Sequence, residues 1–305
     1  MNVIALLTVL FVPPPAGPVK NAVQITEAQN HFSVAIDGKP FTDYWFGPRD
    51  DRPYVRPFFL PVKAADGTGV TSDQYGQKEH PHHQSLWVGQ GDVNGTDHWS
   101  LESKNPPKQR HLRFEKVEVD TAIEDLEWEG KDGQPILKER RTMRFRTWED
   151  ESRGIEFTLE FTPLHGPVTF GDTKEAGLVS VRMAKQIAAH PTLTNSTGAT
   201  GEKATWGKPA DWCDISGKID GKEYGICAMD HPSNPRHPTR WHVREYGLMG
   251  ANPFGLSYFD KAPKHTGDFK MEPGKTVTFR YLVVVHNGDP IAAHLEEKYQ
   301  HFAAE

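Results

Sequence analysis

The sequence predicts a mainly-β fold, a large antiparallel β-sandwich with one short helix at the C-terminal end. Three observations carry this. Apolar and polar residues alternate with a period of two through much of the 305-residue chain, the spacing that sets one strand face on a core and the other in water. The 27 glycines and 24 prolines are scattered without a period, so they punctuate many short elements. A helical spacing of apolar residues is convincing only once, near residue 295.

The elements follow in order. Residues 32–36 and 39–41 flank Asp37-Gly38 and read as a hairpin on an Asp-Gly turn. Residues 56–62 form an apolar strand interrupted by Pro61. Residues 111–119 alternate, with Leu112, Phe114, Val117 and Val119 as the apolar positions. Residues 136–148 and 155–161 alternate as well, placing Phe157, Leu159 and Phe161 on one face. Residues 178–183, 224–229 and 277–285 complete the strands. Asp289 suits an N-cap and Pro290 a first turn, after which Ile291, Leu295, Tyr299 and Phe302 share a helical face.

Cys213 and Cys227 flank a hairpin tip at Asp220-Gly221. A two-residue turn there pairs 213 with 228 and 214 with 227, which points the two thiols to opposite faces. They are expected to be free and buried.

The net charge of −6 argues against a nucleic-acid partner, which needs a clustered basic face. The densest basic stretch, residues 138–146, alternates with apolar residues and reads as the wet face of a strand. No run approaches 18 apolar residues, so no integral membrane helix is expected. Residues 3–12 (VIALLTVLFV), followed by three prolines, have the length of a signal-peptide h-region but lack a basic n-region; a buried first strand is the alternative. The expectation is a signal peptide over residues 1–18, export to the periplasm or beyond (cytoplasmic otherwise), and one β-sandwich domain over residues 19–305.

Two stretches carry chemistry. HPHHQSLWVGQGDVNGTDHW, residues 80–99, packs four His, two Asp, one Asn and two Trp into twenty residues. A core strand has no need of so many polar groups. If residues 84–88 are extended, His83, Ser85 and Trp87 face one way and His82, Gln84 and Leu86 the other. His82 and His83 suit proton transfer, Asp92 a carboxylate role, and Trp87, Asn94 and Trp99 ligand contact. The second stretch, residues 230–244, sets three His, three Arg and one Trp among three prolines, as in a rigid exposed loop. Its candidates are His231 for catalysis and Asn234, Arg236, His237, Trp241 and His242 for an anionic or polyhydroxylated ligand. A polar loop network and a Pro-stiffened surface loop are the competing readings. Between them, Glu175 is a candidate general base and Arg182 a candidate ligand contact.

A metal stays open. His80 and His82 share a side of an extended strand, and His231, His237 or Asp92 could complete a divalent-metal site, yet none of the compact zinc spacings appears. There is no phosphate loop, dinucleotide fingerprint or Gly-x-Ser-x-Gly elbow.

These strings, with GDTKEAG, Trp206-Gly207, DWCD at 211–214 and ANPFG at 251–255, resemble a bacterial family labelled PmoA, or "methane oxygenase PmoA", over about residues 40–289. The resemblance implies a fold similar to the galactose-mutarotase-like supersandwich and, by fold analogy, carbohydrate chemistry. Such sites pair a His acid with a carboxylate base across a sugar ring; the nearest equivalents are His83 or His231 with Glu175 or Asp92. The family label itself implies a metal-dependent oxygenase. Asp97-His98-Trp99 departs from the pattern, which has an apolar residue before the Trp, so His98 is the weakest candidate. The expected function is an enzyme on a sugar or glycoside: an epimerase, lyase or hydrolase binding a small molecule or oligosaccharide. The alternatives are a non-catalytic carbohydrate-binding protein and a metal-dependent oxygenase.

Overall fold

A computed structural model describes Gly17, residues 23–100 and residues 103–305. Apart from Gly17, the expected signal segment, with its initial apolar run, lies outside the described residues. Two eight-stranded antiparallel sheets dominate. The first runs, edge to edge, Val23–Glu27, His31–Ile36, Lys39–Trp45, Phe58–Val62, Leu86–Gln90, Ala176–Arg182, Leu248–Ala251 and Trp241–Arg244. The second runs Thr192–Asn195, Trp212–Ile219, Lys222–Asp230, Val277–Asn287, Arg153–Pro163, Pro135–Thr147, Thr121–Glu129 and Gln109–Val117. A small two-stranded sheet pairs Val168–Phe170 with Phe269–Met271. The mainly-β sandwich read from the sequence is the fold.

Strand alternation builds the core. Val34, Phe59, Leu86, Val181 and Met249 of the first sheet and Trp128, Met143, Phe157, Leu159 and Val283 of the second belong to one continuous buried cluster. A second cluster lies on the other face of the second sheet, where Trp148, Cys227, Leu282 and Val284 pack under Leu295, Tyr299 and Phe302. A third, smaller and aromatic, gathers Phe58, Trp87, Trp99 and Leu248. Trp87 and Leu248 are flanked in their strands by residues of the main core, so this cluster lies on the outer face of the first sheet.

Local structure follows the sequence pattern at some positions and departs from it at others. Asp37 and Gly38 both adopt positive φ, 51° and 73°, the primed-turn geometry that matches the twist of the hairpin they close. Cys213 stands opposite Ala228 and Asp214 opposite Cys227; both cysteines are free and buried, one facing each core cluster. In Gln109–Val117 the expected alternation fails: the register shifts twice and Leu112 and Val119 are exposed. The terminal helix spans Leu295–Ala303, later than expected. The Asp289 carboxylate accepts from the backbone N–H of Ile291 and Ala292 at 2.9 Å, but His294 in the left-handed region ends that turn. Ile291 therefore leaves the buried face and is 86% exposed.

Candidate active site on the outer face of the first sheet

The turn that carries the histidines is built locally. His80 adopts a φ of 49°, Pro81 fixes the next φ, and the His83 N–H donates to the His80 carbonyl at 3.0 Å. This closes a β-turn that brings the first and last rings together: His80 and His83 stack with centroids 4.7 Å apart and planes 2° apart. His82 meets His83 edge-on at 4.5 Å. Ser85, at φ 60°, breaks the extended run expected over residues 84–88, and the strand begins at Leu86. The expected division of His82 and His83 between opposite faces therefore does not hold, and both line one cavity.

Arg56 anchors the turn. It is 1% exposed. Its Nε donates to Gln84 Oε1 at 2.9 Å, Nη1 to the carbonyls of His98 and Trp99 at 2.8 Å each, and Nη2 to the carbonyl of His82. One guanidinium thus ties the histidine turn to the segment bearing Trp99, using the fixed fork of donors that only Arg offers. Burial pushes its pKa down to about 9.

The cavity, of about 550 Å³, is lined by His80, His82, His83, Trp99, Glu175, His242, Arg244 and Tyr246, together with Asp97, Ser100 and Lys174. Alternation places His242: Trp241 and Val243 face the core, so His242 and Arg244 face outward. Glu175 directly precedes Ala176–Arg182. The Gly91 N–H donates to its carbonyl at 2.8 Å, an approach open only to glycine, since a Cβ on residue 91 would lie 2.5 Å from that oxygen. Trp87 stacks on His83 at 5.4 Å, and the Arg182 guanidinium lies over Tyr246 and 3.4 Å from His83 Nδ1.

The electrostatics are unusual for so polar a site. Burial is the main cause that lowers the pKa of His82 and His242, each to about 4, and it also lowers His83 and His80. Neighbouring guanidiniums add to this, Arg56 on His82 and Arg182 on His80 and His83. Neutral imidazoles result at neutral pH. For Glu175 burial acts upward, but the ion pair with Lys174 and the nearby His242 outweigh it, and its carboxyl sits below the ordinary value. Among the described residues, His82 Nδ1, both ring nitrogens of His242, the indole N–H groups of Trp87 and Trp99, and Arg182 Nε are buried without a hydrogen-bond partner. The Lys174 carbonyl, which accepts from Asn252 Nδ2 at 3.2 Å, lies near enough to His242 to favour its protonated form, though no hydrogen bond to either ring nitrogen is formed.

Of the residues singled out in the sequence, the structure brings His82, His83, Glu175, Trp99 and His242 to the cavity, with Trp87 and Arg182 against it. The others lie elsewhere, each in a structural bond. Asp92 caps a turn by accepting from the Gly95 N–H at 2.6 Å. Asn94 bonds Pro167 and Thr169. His231 is held by Ser233 at 2.7 Å and by Arg280 at 2.9 Å. Asn234 braces Asp230 and Arg280, and Arg236 clamps the carbonyls of Pro253, Gly267 and Asp268. His237 donates to Asp230 at 2.8 Å. Trp241, expected as a ligand contact, is fully buried in the core with its indole N–H on the Ala210 carbonyl at 2.8 Å. His98, the weakest candidate, bonds the Glu129 carbonyl at 2.8 Å. His231, His237 and Asp92, expected as candidate partners of His80 and His82 in a metal site, lie elsewhere; the ring that gathers with those two is His83. Arg56 and Tyr246 were not singled out: each stands outside the two dense polar stretches, and no local signal marks it.

A polar, aromatic-walled cavity on the outer face of a large antiparallel β-sandwich defines the class. The chain belongs to a family of unknown function, DUF6807, whose model matches residues 31–300. No curated protein matches it. Among solved structures it is similar to a GalM/aldose epimerase homologue from C. elegans, at 10% identity and a TM-score of 0.35, over 88% of this chain and 99% of that one. It is also similar to a galactose 1-epimerase from Lactobacillus acidophilus NCFM, at 8% identity and a TM-score of 0.33, over 88% and 100%. Likenesses this loose carry no argument about chemistry, which rests on the site itself. Among the described residues no helix is long and apolar enough to cross a membrane.

Proposed function

We propose that this protein is an enzyme acting on a sugar or glycoside, with Glu175 and His242 as its proton-transfer pair. The observation that carries the reading is His242: a ring 2% exposed, with neither nitrogen bonded among the described residues, lining the same cavity as a carboxylate. Leaving a buried polar atom unsatisfied costs about 1–3 kcal/mol, a burden that a bound ligand would relieve. The unsatisfied set mixes N–H groups with imidazole nitrogens that can donate or accept, and Trp99 and Tyr246 supply aromatic wall. A polyhydroxylated ring, apolar on its faces and carrying hydroxyls that both donate and accept, satisfies both features. The carboxylate of Glu175, held ionised, serves as base, and the neutral imidazole of His242 relays the proton. Epimerisation, elimination and hydrolysis all use such a pair.

The test is a panel of free sugars and glycosides assayed for turnover, with Glu175→Gln and His242→Ala beside the unaltered protein. Turnover that falls about 10²-fold or more in either variant, with folding intact, is expected for loss of an acid–base group. Saturable sugar binding with no product would replace this reading with the non-catalytic carbohydrate-binding one.

A further inference from the structure

We propose that His80, His82 and His83 form a binding site for one divalent first-row transition-metal ion, zinc by preference, with an open coordination position toward the cavity. One ring nitrogen from each histidine lies within 4.8 Å of the others. Zinc–imidazole bonds of 2.0–2.1 Å at tetrahedral angles place ligand nitrogens about 3.3 Å apart, so the rings need close by no more than about 1.5 Å. The backbone that presents them is already fixed. The turn is closed by its own hydrogen bond, the His83 carbonyl accepts from the Gln74 N–H at 2.9 Å, and Arg56 holds the His82 carbonyl. Three imidazoles with no thiolate select borderline metals over calcium or magnesium, and three protein ligands leave a position for water or substrate.

The charges facing the cluster come from several elements. Arg56, Arg182 and Arg244 oppose a cation there, while Glu79, Asp97 and Glu175 favour it. Arg182 donates only weakly to His83 Nδ1, at 3.4 Å. Ligation through Nε2 requires a proton on Nδ1, and so requires Arg182 to release that ring.

This inference stands apart from the sugar reading. Metal bound with no sugar turned over would leave the site and sink that reading; turnover by a chain that takes up no metal would do the reverse. The experiment strips the full chain with a chelator, reloads it with Zn²⁺, removes the excess and measures zinc by mass spectrometry. About one equivalent is expected. His82→Ala and His83→Ala should each weaken binding at least tenfold, while His231→Ala, in the other histidine-rich loop, and Glu175→Gln keep the stoichiometry. Should the alanine variants unfold by circular dichroism, Co²⁺ added to the unaltered protein decides the matter: low-symmetry d–d bands without thiolate charge transfer support the site. A folded chain that binds neither ion at micromolar concentration, or triad variants that bind as well as the unaltered protein, would overturn it.

Discussion

The two histidine-rich stretches look alike in sequence and do opposite things. In residues 230–239 the polar groups satisfy one another. The Asp230 carboxylate accepts from Asn234, His237 and the Thr239 N–H, and Arg236 fastens three carbonyls. Around the cavity the backbone is fastened, by Arg56 above all, while His82 Nδ1, the indole N–H groups of Trp87 and Trp99 and both ring nitrogens of His242 are left without partners. Density of polar residues therefore marks where polar groups are needed, not what they are needed for. The distinguishing feature is whether a buried ring already has its hydrogen bonds. A satisfied ring is spoken for; an unsatisfied one beside a cavity is available to a ligand.

That contrast can be broken most severely at Arg56. Arg56→Ala should cost about 3–5 kcal/mol, because four buried acceptors lose a charged donor at once. Denaturant unfolding measures this, and a loss under about 1 kcal/mol would show that the turn stands without its anchor. Arg56→Lys is expected to recover little, since an ammonium cannot span the same fork.

The next effect sharpens the comparison through pH. His242 has its pKa pushed down to about 4 by burial, so between about 6.5 and 4 the unfolded chain binds a proton there that the folded one refuses. Its folded-state stability is intact above about pH 6.5 and drains away as pH falls through that window. His242→Leu removes the effect and should be more stable than the unaltered protein at pH 4 by roughly 2–3 kcal/mol, even as turnover is lost. Identical acid denaturation curves for the two would contradict the buried, unsatisfied state of this ring.

The smallest effect has the opposite sign. The hydrogen bond to Asp230 raises the His237 pKa, against burial. Its contribution is fully present below the unfolded-state value of about 6.5 and is lost as pH rises through the folded-state one. Melting temperatures of the unaltered protein and His237→Asn should thus converge on going from pH 6 to pH 8. If the gap widens instead, His237 does not hold its proton against Asp230.

How much of this was legible beforehand varies with the range of the interaction. The Asp37-Gly38 hairpin and the register that separates Cys213 from Cys227 depend on neighbours a few residues apart, and both were readable. The alternation of Gln109–Val117 was not, because bulges shift the pairing of an edge strand without a sequence mark. Ile291 was misassigned because one left-handed residue, His294, resets the helical phase.

For the site the division is clearer. Residue spacing is enough to read the chain as mainly β, and the clusters of polar residues at 80–99, 175 and 230–244 single out His82, His83, Glu175, Trp99 and His242, which the fold brings to one cavity. Period and composition are local properties, and they survive in one dimension. It took the folded sheets to show that Trp241 is core while its neighbour His242 faces the cavity, that Arg56 organises a turn 26 residues away, and that His231 and His237 are already engaged. A buried polar group is useful or spent according to its partners, and here those partners come from strands far apart in the chain and adjacent only once the sheets have formed.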